Sequence, residues 1–260
     1  MAFNTILLDI KEGVGTITLN RPDVYNAFND EMSFELQDAL KEVEKNKEVR
    51  AVVLTGAGKA FCSGQDLKAA AAAGNRSFKE SLDKRYNPII RSMRNMPKPI
   101  IGRLNGVAAG AGCSLALACD VIVAAESVTL IEVFINVGLV PDSGSSFFLP
   151  RVVGQARAFE FSTMGTKISA TDALQIGMIN RVVKAEELDN EVKKLTDYYA
   201  SAPTKAIGLI KKMLNRSFNS DLESMLEYES YCQEIAGNSF DNKEGVIAFI
   251  EKRKPMFKGE

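Results

Sequence analysis

The segment that most constrains the fold is an apolar run at residues 51–54, Ala-Val-Val-Leu, which ends at Thr55 and Gly56. A strand that faces water on one side alternates apolar and polar residues, whereas this run has no polar position and is typical of a strand buried on both faces. Residues 99–104 and 121–125 are similar, and helical stretches lie between these runs at 78–96 and 112–119. Buried strands that alternate with helices predict an α/β fold.

The chain before and after this alternation completes the expected architecture. Residues 6–10 and 15–20 predict a β-hairpin, residues 30–47 predict a helix, and residues 179–183 predict a further strand. From Pro203 onward the apolar positions recur at helical spacing. We therefore expect a core at residues 1–200 and a helical region at 201–260, whose apolar surface also packs on a neighbouring subunit.

The chain contains no histidine, which excludes several chemistries. Ser-His-Asp and Cys-His nucleophiles need an imidazole base, and most catalytic zinc sites need an imidazole ligand. The net charge of −1 indicates neither a nucleic-acid nor a membrane partner. No C-x-x-C pair occurs, so we expect the thiols to be buried and reduced. The start of the sequence has no signal-peptide pattern, and we expect a cytoplasmic protein. We expect neither a metal site nor a resident cofactor.

Small residues form three segments that can approach a ligand closely. Residues 55–59 resemble a phosphate loop only weakly, and we interpret them as a turn. Residues 105–112 open a helix, where free N–H groups can bind a carbonyl oxygen; close packing of the helix on a sheet explains the small residues equally well. Residues 60–67 make an oxyanion hole only if their N–H groups face those of 110–112, and alone they predict a turn.

Two further segments have both a structural and a functional interpretation. The alanine run 69–73, followed by Gly74 and Asn75, predicts a mobile loop of the kind that covers active sites. Residues 137–146 predict a turn in which Asp142 caps the following helix. The functional alternative is that apolar neighbours, among them Phe134, raise the pKa of Asp142 and make it a proton carrier near neutrality.

Taken together, residues 14–28, 51–67, 99–125 and 137–151 resemble the enoyl-CoA hydratase/isomerase, or crotonase, superfamily in order and spacing. The resemblance implies a spiral of ββα units followed by a C-terminal helical region that forms homotrimers, often paired into hexamers. It also implies an acyl-CoA substrate, with coenzyme A entering as the substrate thioester. The backbone N–H groups of Gln65 and Ala111 match the two donors that hold the thioester oxygen.

The sequence departs from the family's hydratases at both catalytic glutamates. Ser114 and Phe134 occupy those positions. Glu132 lies two residues before Phe134, but a slip of one residue in strand register moves a side chain to the opposite face. Asp142 instead resembles the acidic residue of family isomerases that act on 1,2-epoxyphenylacetyl-CoA, in phenylacetate catabolism, or shift Δ3-enoyl double bonds. Family dehalogenases also carry an aspartate there, but they need a histidine.

Further residues match the positions where the family binds the substrate. Those for coenzyme A or the acyl group are Val24, Ala27, Ala60, Ser63, Asp66, Leu67, Phe134, Phe257 and Lys258, the last two across a subunit contact. The expected function is an acyl-CoA isomerase with Asp142 as acid and base. Two alternatives stay open: a hydratase or hydrolase that pairs Asp142 with a residue such as Glu132, and a non-catalytic acyl-CoA-binding protein.

Overall fold

The computed structural model describes residues 3–72, 74 and 76–260. The strands are β1 (Ile6–Lys11), β2 (Val14–Leu19), β3 (Ala51–Gly56), β4 (Ala60–Cys62), β5 (Ile100–Leu104), β6 (Val107–Ala109), β7 (Val121–Ala125), β8 (Thr129–Ile131), β9 (Lys167–Ser169) and β10 (Arg181–Val183). The α-helices are α1 (Asp30–Lys45), α2 (Leu67–Ala72), α3 (Phe78–Ser81), α4 (Asn87–Asn95), α5 (Ala111–Leu117), α6 (Ser145–Val153), α7 (Gln155–Met164), α8 (Ala170–Gln175), α9 (Leu188–Ser201), α10 (Thr204–Ser217), α11 (Leu222–Gly237) and α12 (Phe240–Ile250).

A six-stranded sheet has the order β1-β2-β3-β5-β7-β10. Its first pair is the predicted antiparallel hairpin, and its other pairs are parallel. Every residue of β3 is buried, as the run at 51–54 predicted. The strands expected at 99–104 and 121–125 lie beside it as β5 and β7. These central strands are covered on both faces, by helices such as α9 on one side.

A second sheet has the order β4-β6-β8-β9. Strands β3, β5 and β7 of the first sheet are each followed directly by β4, β6 and β8 of the second. After β4 and β6, helical segments return the chain to the first sheet, whereas after β8 the chain first adds β9 to the second sheet and returns at β10. This repeated ββα path is the spiral that the resemblance implied. It brings the loops after β4, β6 and β8 to one region, where the candidate site lies.

The C-terminal region consists of α10, α11 and α12, as the apolar periodicity predicted, but residues 251–260 are not helical. Lys211 on α10 anchors the region through an ion pair of 2.7 Å with Asp120, between α5 and β7. Large apolar side chains remain exposed on these helices, including Leu214, Leu226 and Phe249. The division at residue 200 stays a prediction.

One local prediction was wrong. The alanine run was expected to form a loop, but residues 69–72 continue α2. Asp66 accepts a hydrogen bond of 3.0 Å from the N–H of Ala69 and so stabilises the start of this helix. Ala73 and Asn75, the remainder of that prediction, lie outside the described residues. No helix in the described part of the chain is long and apolar enough to cross a membrane.

Candidate active site

The two candidate oxyanion donors lie next to each other. A Cβ placed on Gly64, the residue before Gln65, would lie 3.4 Å from the backbone nitrogen of Ala111 and 2.7 Å from the carbonyl oxygen of Ala109. Gly64 has a φ of +94°, a conformation that residues with a Cβ rarely adopt. The segment after β4 can therefore approach the start of α5 only because residue 64 is glycine.

The start of α5 combines close packing with a free donor. A Cβ on Gly112 would lie 2.1 Å from the carbonyl oxygen of Cys62, so this glycine is needed for packing on β4. Gly110 adopts a φ of +53° and its N–H donates to the carbonyl of Ile131 at 2.9 Å. Ala111 begins the helix, and its N–H has no acceptor among the described residues. Close packing therefore explains Gly112, whereas the binding of a carbonyl oxygen by the Ala111 N–H stays a prediction.

The other donor, the N–H of Gln65, is oriented by a short bridge to Phe28. The Phe28 N–H donates to the carbonyl of Gly64 at 2.7 Å, and the Asp66 N–H donates to the carbonyl of Phe28 at 2.9 Å. Alternate groups of an extended chain point to opposite sides, so the Gln65 N–H points away from Phe28. It too has no acceptor among the described residues. Two adjacent free N–H groups can hold one carbonyl oxygen.

Asp142 lies in the loop before α6, close to the first turn of α5. The Ser114 hydroxyl, one turn after Ala111, donates to the backbone carbonyl of Asp142 at 3.0 Å. Burial raises the pKa of the Asp142 carboxyl, while a hydrogen bond of 2.8 Å from the Ser143 hydroxyl opposes the rise. The predicted helix cap was wrong, because Gly144 occupies the N-cap position of α6. The half-buried carboxyl of Asp142 is thus left for other contacts.

The residues at the two glutamate positions have structural contacts. Ser114 is fully buried and holds the Asp142 backbone. Phe134 is buried, and its ring packs against Gly110. Glu132 is also fully buried, and neither of its carboxyl oxygens has a hydrogen-bond partner among the described residues. Burial raises the pKa of Glu132, and the charge of Asp142 raises it further, whereas the Ser145 hydroxyl and Cys113 thiol lower it.

Most of the predicted coenzyme A positions lie along one edge of this site. The Ser63 hydroxyl donates to the carbonyl of Val24 at 3.3 Å, which places the turn at residues 22–27 beside the segment 63–67. Ala27 and Ala60 are buried, whereas Leu67 is exposed. Arg21 pairs with Asp66 at 3.0 Å. The hydrogen bond from the Ala69 N–H, followed by that from Arg21, lowers the pKa of the Asp66 carboxyl.

Phe257 and Lys258 are not at this site within one chain. The carbonyl of Phe257 accepts from Arg50 at 2.9 Å, and Arg50 immediately precedes β3, whereas the site lies where that strand ends. The Lys258 ammonium lies 4.3 Å from the ring centroid of Phe240 on α12. A role for either residue at the coenzyme A position therefore requires a neighbouring subunit and stays a prediction.

An aromatic groove of about 280 Å³ lies beside the Asp142 loop, between α4 and α6. Its wall includes Ile90, Phe147 and Phe148, with Gly144 at the loop end. The Phe148 ring lies so close to Gly144 that a Cβ there would be 2.6 Å from a ring atom. A larger cleft of about 510 Å³ lies away from the site along α9, among exposed charged residues.

Two residues at the site were missed from the sequence. Asn26 is fully buried with a φ of +56°, and its side-chain amide donates to the carbonyls of Ala57 at 2.9 Å and Ala60 at 2.8 Å. Its position in the N-R-P-x-x-x-N-A segment gives no periodic signal. Tyr86 is buried, and its hydroxyl donates to the side-chain oxygen of Gln65. It lies on a π-helical turn (Leu82–Tyr86), which helical periodicity does not reveal.

The site pairs two free backbone donors with one half-buried carboxyl group. Such donors stabilise the oxyanion of an activated carbonyl compound, and a carboxylate with a raised pKa transfers protons near neutrality. No cluster of three or more metal-binding side chains occurs among the residues that the structure describes. The arrangement is that of an enzyme of the enolate-stabilising class.

Comparison with known proteins identifies the family. Residues 9–260 match the Enoyl-CoA hydratase/isomerase family. The chain is 42% identical over 258 residues to the 1,2-epoxyphenylacetyl-CoA isomerase of Escherichia coli, with 98% of each chain covered. It is 40% identical to a protein of Rhodobacter capsulatus named a probable enoyl-CoA hydratase, with 100% of each covered. The crystal structure of enoyl-CoA hydratase from Bacillus anthracis superposes with a TM-score of 0.91 at 35% identity, covering 99% of this chain and 100% of that one.

The chain therefore belongs to the enoyl-CoA hydratase/isomerase, or crotonase, superfamily. Membership implies an acyl-CoA substrate, as the sequence predicted. Relatives with similar identity carry either isomerase or hydratase names. The choice between the two reactions thus depends on the residues of this chain.

Proposed function

We propose that the protein is an acyl-CoA isomerase in which Asp142 is the acid and base and the N–H groups of Gln65 and Ala111 form the oxyanion hole. The observation that carries the proposal is that Ser114, one turn after the free N–H of Ala111, holds the backbone of Asp142 at 3.0 Å. Ser114 and Phe134 stand where family hydratases have glutamates. Adding water requires groups that position it and exchange protons with it. Moving a proton within the acyl group requires only one such group.

In this mechanism the thioester oxygen accepts hydrogen bonds from both N–H groups. The Asp142 carboxylate removes a proton from the acyl chain, and the negative charge spreads onto the held oxygen. The protonated Asp142 then returns the proton to a different carbon, which shifts the double bond. The raised pKa of Asp142 suits both steps, since the group must gain and lose a proton near neutral pH.

The binding edge supports an extended coenzyme A thioester as substrate. We assign adenine and pantetheine contacts to the turn at residues 22–27 and the segment 60–67, which lie side by side. The groove at Phe147 and Phe148 has one aromatic wall that suits an acyl chain or ring, and its other wall carries Arg91, Arg94, Asn95 and Asn215. The E. coli relative at 42% identity is named for a ring-epoxide thioester, which favours an aromatic acyl group in the phenylacetate series.

The hydratase alternative lacks a second acid or base in a usable position. Glu132 is the residue that could supply one, but its side chain is fully buried. Its carboxyl lies beside the Ser145 hydroxyl and Cys113 thiol, behind the loop that carries Asp142. We therefore assign no water-activating role to Glu132.

We also propose a homotrimer, or a dimer of trimers, located in the cytoplasm. Exposed apolar residues on α10, α11 and α12 support assembly through the C-terminal region. The four cysteines are free and buried, which suits a reducing compartment. Light scattering of the purified chain measures the assembly directly, and a monomer at micromolar concentration would contradict it.

The proposed reaction is tested by a turnover screen that compares 3-enoyl-CoA thioesters with 1,2-epoxyphenylacetyl-CoA. We expect isomerisation of at least one, and a fall in kcat of about two to four orders of magnitude in Asp142→Asn. The matched control is Asp38→Asn, since the Asp38 carboxylate is exposed on α1, where it pairs with Lys41 at 3.0 Å. Near-full activity of Asp142→Asn with coenzyme A binding intact would refute the mechanism.

The same screen separates the alternatives. Incorporation of labelled solvent oxygen into product would establish hydration or hydrolysis in place of isomerisation. Tight binding of several thioesters without turnover would establish a non-catalytic binding protein. Either result would overturn the proposed function.

A further inference from the structure

The side chain of Gln65 is held at every polar atom, although its backbone N–H is the part that the proposed reaction uses. Its Nε2 donates to the carbonyl of Phe28 at 3.0 Å and to the carbonyl of Asp66 at 3.3 Å. Its Oε1 accepts from the hydroxyl of Tyr86. An unrestrained glutamine has considerable rotamer freedom, so these contacts restrict both the side chain and the backbone that carries it.

Tyr86 is itself rigidly placed. Its ring is buried and meets the ring of Phe28 edge to face, with centroids 5.5 Å apart and an interplanar angle of 78°. The π-helical turn that carries it is bound from α1, where Gln37 Nε2 donates to the carbonyls of Lys84 at 3.0 Å and Arg85 at 3.1 Å. A π-turn changes the direction in which later side chains point, and such turns occur often at functional sites.

Several charges act on the Tyr86 hydroxyl. Burial raises the pKa of that hydroxyl, the positive charge of Arg85 opposes the rise, and the negative charge of Asp142 adds to it. Phe28 contacts both Gln65 and Tyr86, through the backbone bridge and the ring pair, so the three residues form one unit.

We propose that Tyr86 is a positioning residue of the oxyanion hole, whose hydroxyl fixes the Gln65 side chain and thereby directs the Gln65 N–H at the thioester oxygen. The inference rests on the proposed function. Tyr86 thereby contributes to the stabilisation of the enolate without contacting the substrate. The ring packs in the core, but the hydroxyl group has no other hydrogen-bond partner among the described residues.

The first test uses Tyr86→Phe, which keeps the ring and removes the hydroxyl. Because the oxyanion hole acts more strongly on the enolate than on the bound substrate, we expect kcat to fall while KM changes little. One neutral hydrogen bond corresponds to a fall of about two- to ten-fold. The matched control is Tyr198→Phe, whose hydroxyl is on an exposed side chain of α9 and which should leave kcat unchanged.

A double-mutant cycle tests whether Tyr86 acts through Gln65. Gln65→Met keeps the length of the side chain and removes its polar atoms. We expect each single variant to lower kcat. The kcat of the double variant should be no lower than that of the less active single variant. Losses that multiply in the double variant, or a Tyr86→Phe enzyme with the kcat of the wild type, would overturn the inference. If Tyr86→Phe fails to fold, Gln65→Met alone must reproduce the loss of kcat without a change in KM.

A spectroscopic measurement separates this inference from the proposed function. Phenylacetyl-CoA labelled with ¹³C at the thioester carbonyl is bound to each variant, and its infrared carbonyl stretch is compared with that of the free thioester. We expect a shift to lower frequency in the wild type and a smaller shift in Tyr86→Phe. Equal shifts in the two proteins would refute only the role of Tyr86. If the wild type shows no shift and does not exchange the α-protons of the bound thioester with solvent, both the oxyanion hole and the proposed function are refuted.

Discussion

Replacement of Glu132 by glutamine should stabilise the protein, and the gain should depend on pH. Glu132 follows β8, is fully buried, and has no hydrogen-bond partner for either carboxyl oxygen among the described residues. The Ser145 hydroxyl beside it is also without a partner in that part of the chain. Glutamine has the same shape and adds an N–H₂ donor that cannot become charged.

The sign of the pH dependence follows from the direction of the pKa shift. Burial raises the pKa of Glu132 in the folded state above its value of about 4.3 in the unfolded chain. The contribution of Glu132 to stability is therefore fully present below that unfolded value and is lost as the pH rises through the folded pKa. At pH 8 the fold must either keep a proton on Glu132 or bury its charge, and both cost free energy.

At pH 8 the magnitude is set by the cost of keeping the proton on Glu132 or of burying its charge without a partner, at least about 1–3 kcal/mol. Near pH 4.5 the folded carboxyl is protonated, and this cost is absent. At roughly 2–4 °C per kcal/mol for a chain of this size, Glu132→Gln should raise the Tm at pH 8 by about 2–12 °C. Near pH 4.5 the two proteins should have nearly equal stability. The control is Glu126→Gln, which removes a charge at an exposed turn between β7 and β8 and should change little at either pH.

Urea unfolding at pH 4.5 and pH 8 measures the difference, and one fixed protein concentration makes the contribution of subunit dissociation the same for both proteins. The shift in midpoint should appear at pH 8 with an unchanged slope. A loss of stability at pH 8, or a gain of equal size at both values, would refute the reasoning. A loss at pH 8 would mean that the Glu132 carboxylate is charged and paired in the folded protein. An equal gain at both pH values would mean that titration of Glu132 does not contribute to stability.

Three further predictions follow from contacts described above. Burial raises the pKa of Asp142, and the proposed reaction needs its carboxylate. In pH–rate profiles, kcat/KM should therefore rise with pH along an acid limb whose midpoint lies above the ordinary aspartate value of about 3.9. A midpoint below that value would contradict the prediction. Gly64→Ala should abolish turnover and lower the free energy of unfolding by at least about 1–3 kcal/mol, because residue 64 has a positive φ. Gly237→Ala, with open space around it, should change neither result in the same activity and urea assays. Lys211→Met should cost about 1–3 kcal/mol in urea unfolding, because it removes the ion pair between α10 and Asp120 while Asp120 keeps its ion pair of 3.0 Å with Arg94. A change below about 0.5 kcal/mol would show that the Lys211 ion pair does not anchor α10.

The parts of the fold that were predictable are those in which residue type follows burial directly. Strand β3 lies between two covered faces, so every position is buried and the apolar run reveals it. Helix α2 was missed because its alanines are followed by glycine and asparagine, which favour a loop locally. The cap that Asp66 provides to the Ala69 N–H outweighs that tendency.

The candidate site was predictable only at positions where a conformation demands one residue type. Gly64 and Gly110 have positive φ values, and their presence marks the two segments that meet. Tyr86 could not be found in this way, because its role depends on a π-helical turn and on a partner 21 positions earlier in the chain. A buried tyrosine on a helix is usually part of the core, and only the position of its hydroxyl distinguishes this one.

The contrast between Asp142 and Glu132 shows why proximity in sequence does not make a catalytic pair. Both carboxyls have raised pKa values caused mainly by burial, and the charge on Asp142 raises that of Glu132 further. Two acidic groups in such a relation ionise one before the other, and the less buried one ionises first. The proposed reaction assigns the base to Asp142, the less buried of the two, because the charge of Asp142 opposes ionisation of Glu132. A site with one ionised carboxylate and two backbone donors is equipped to move a proton along a thioester, and a hydratase would need the second carboxylate on the substrate's side of the loop.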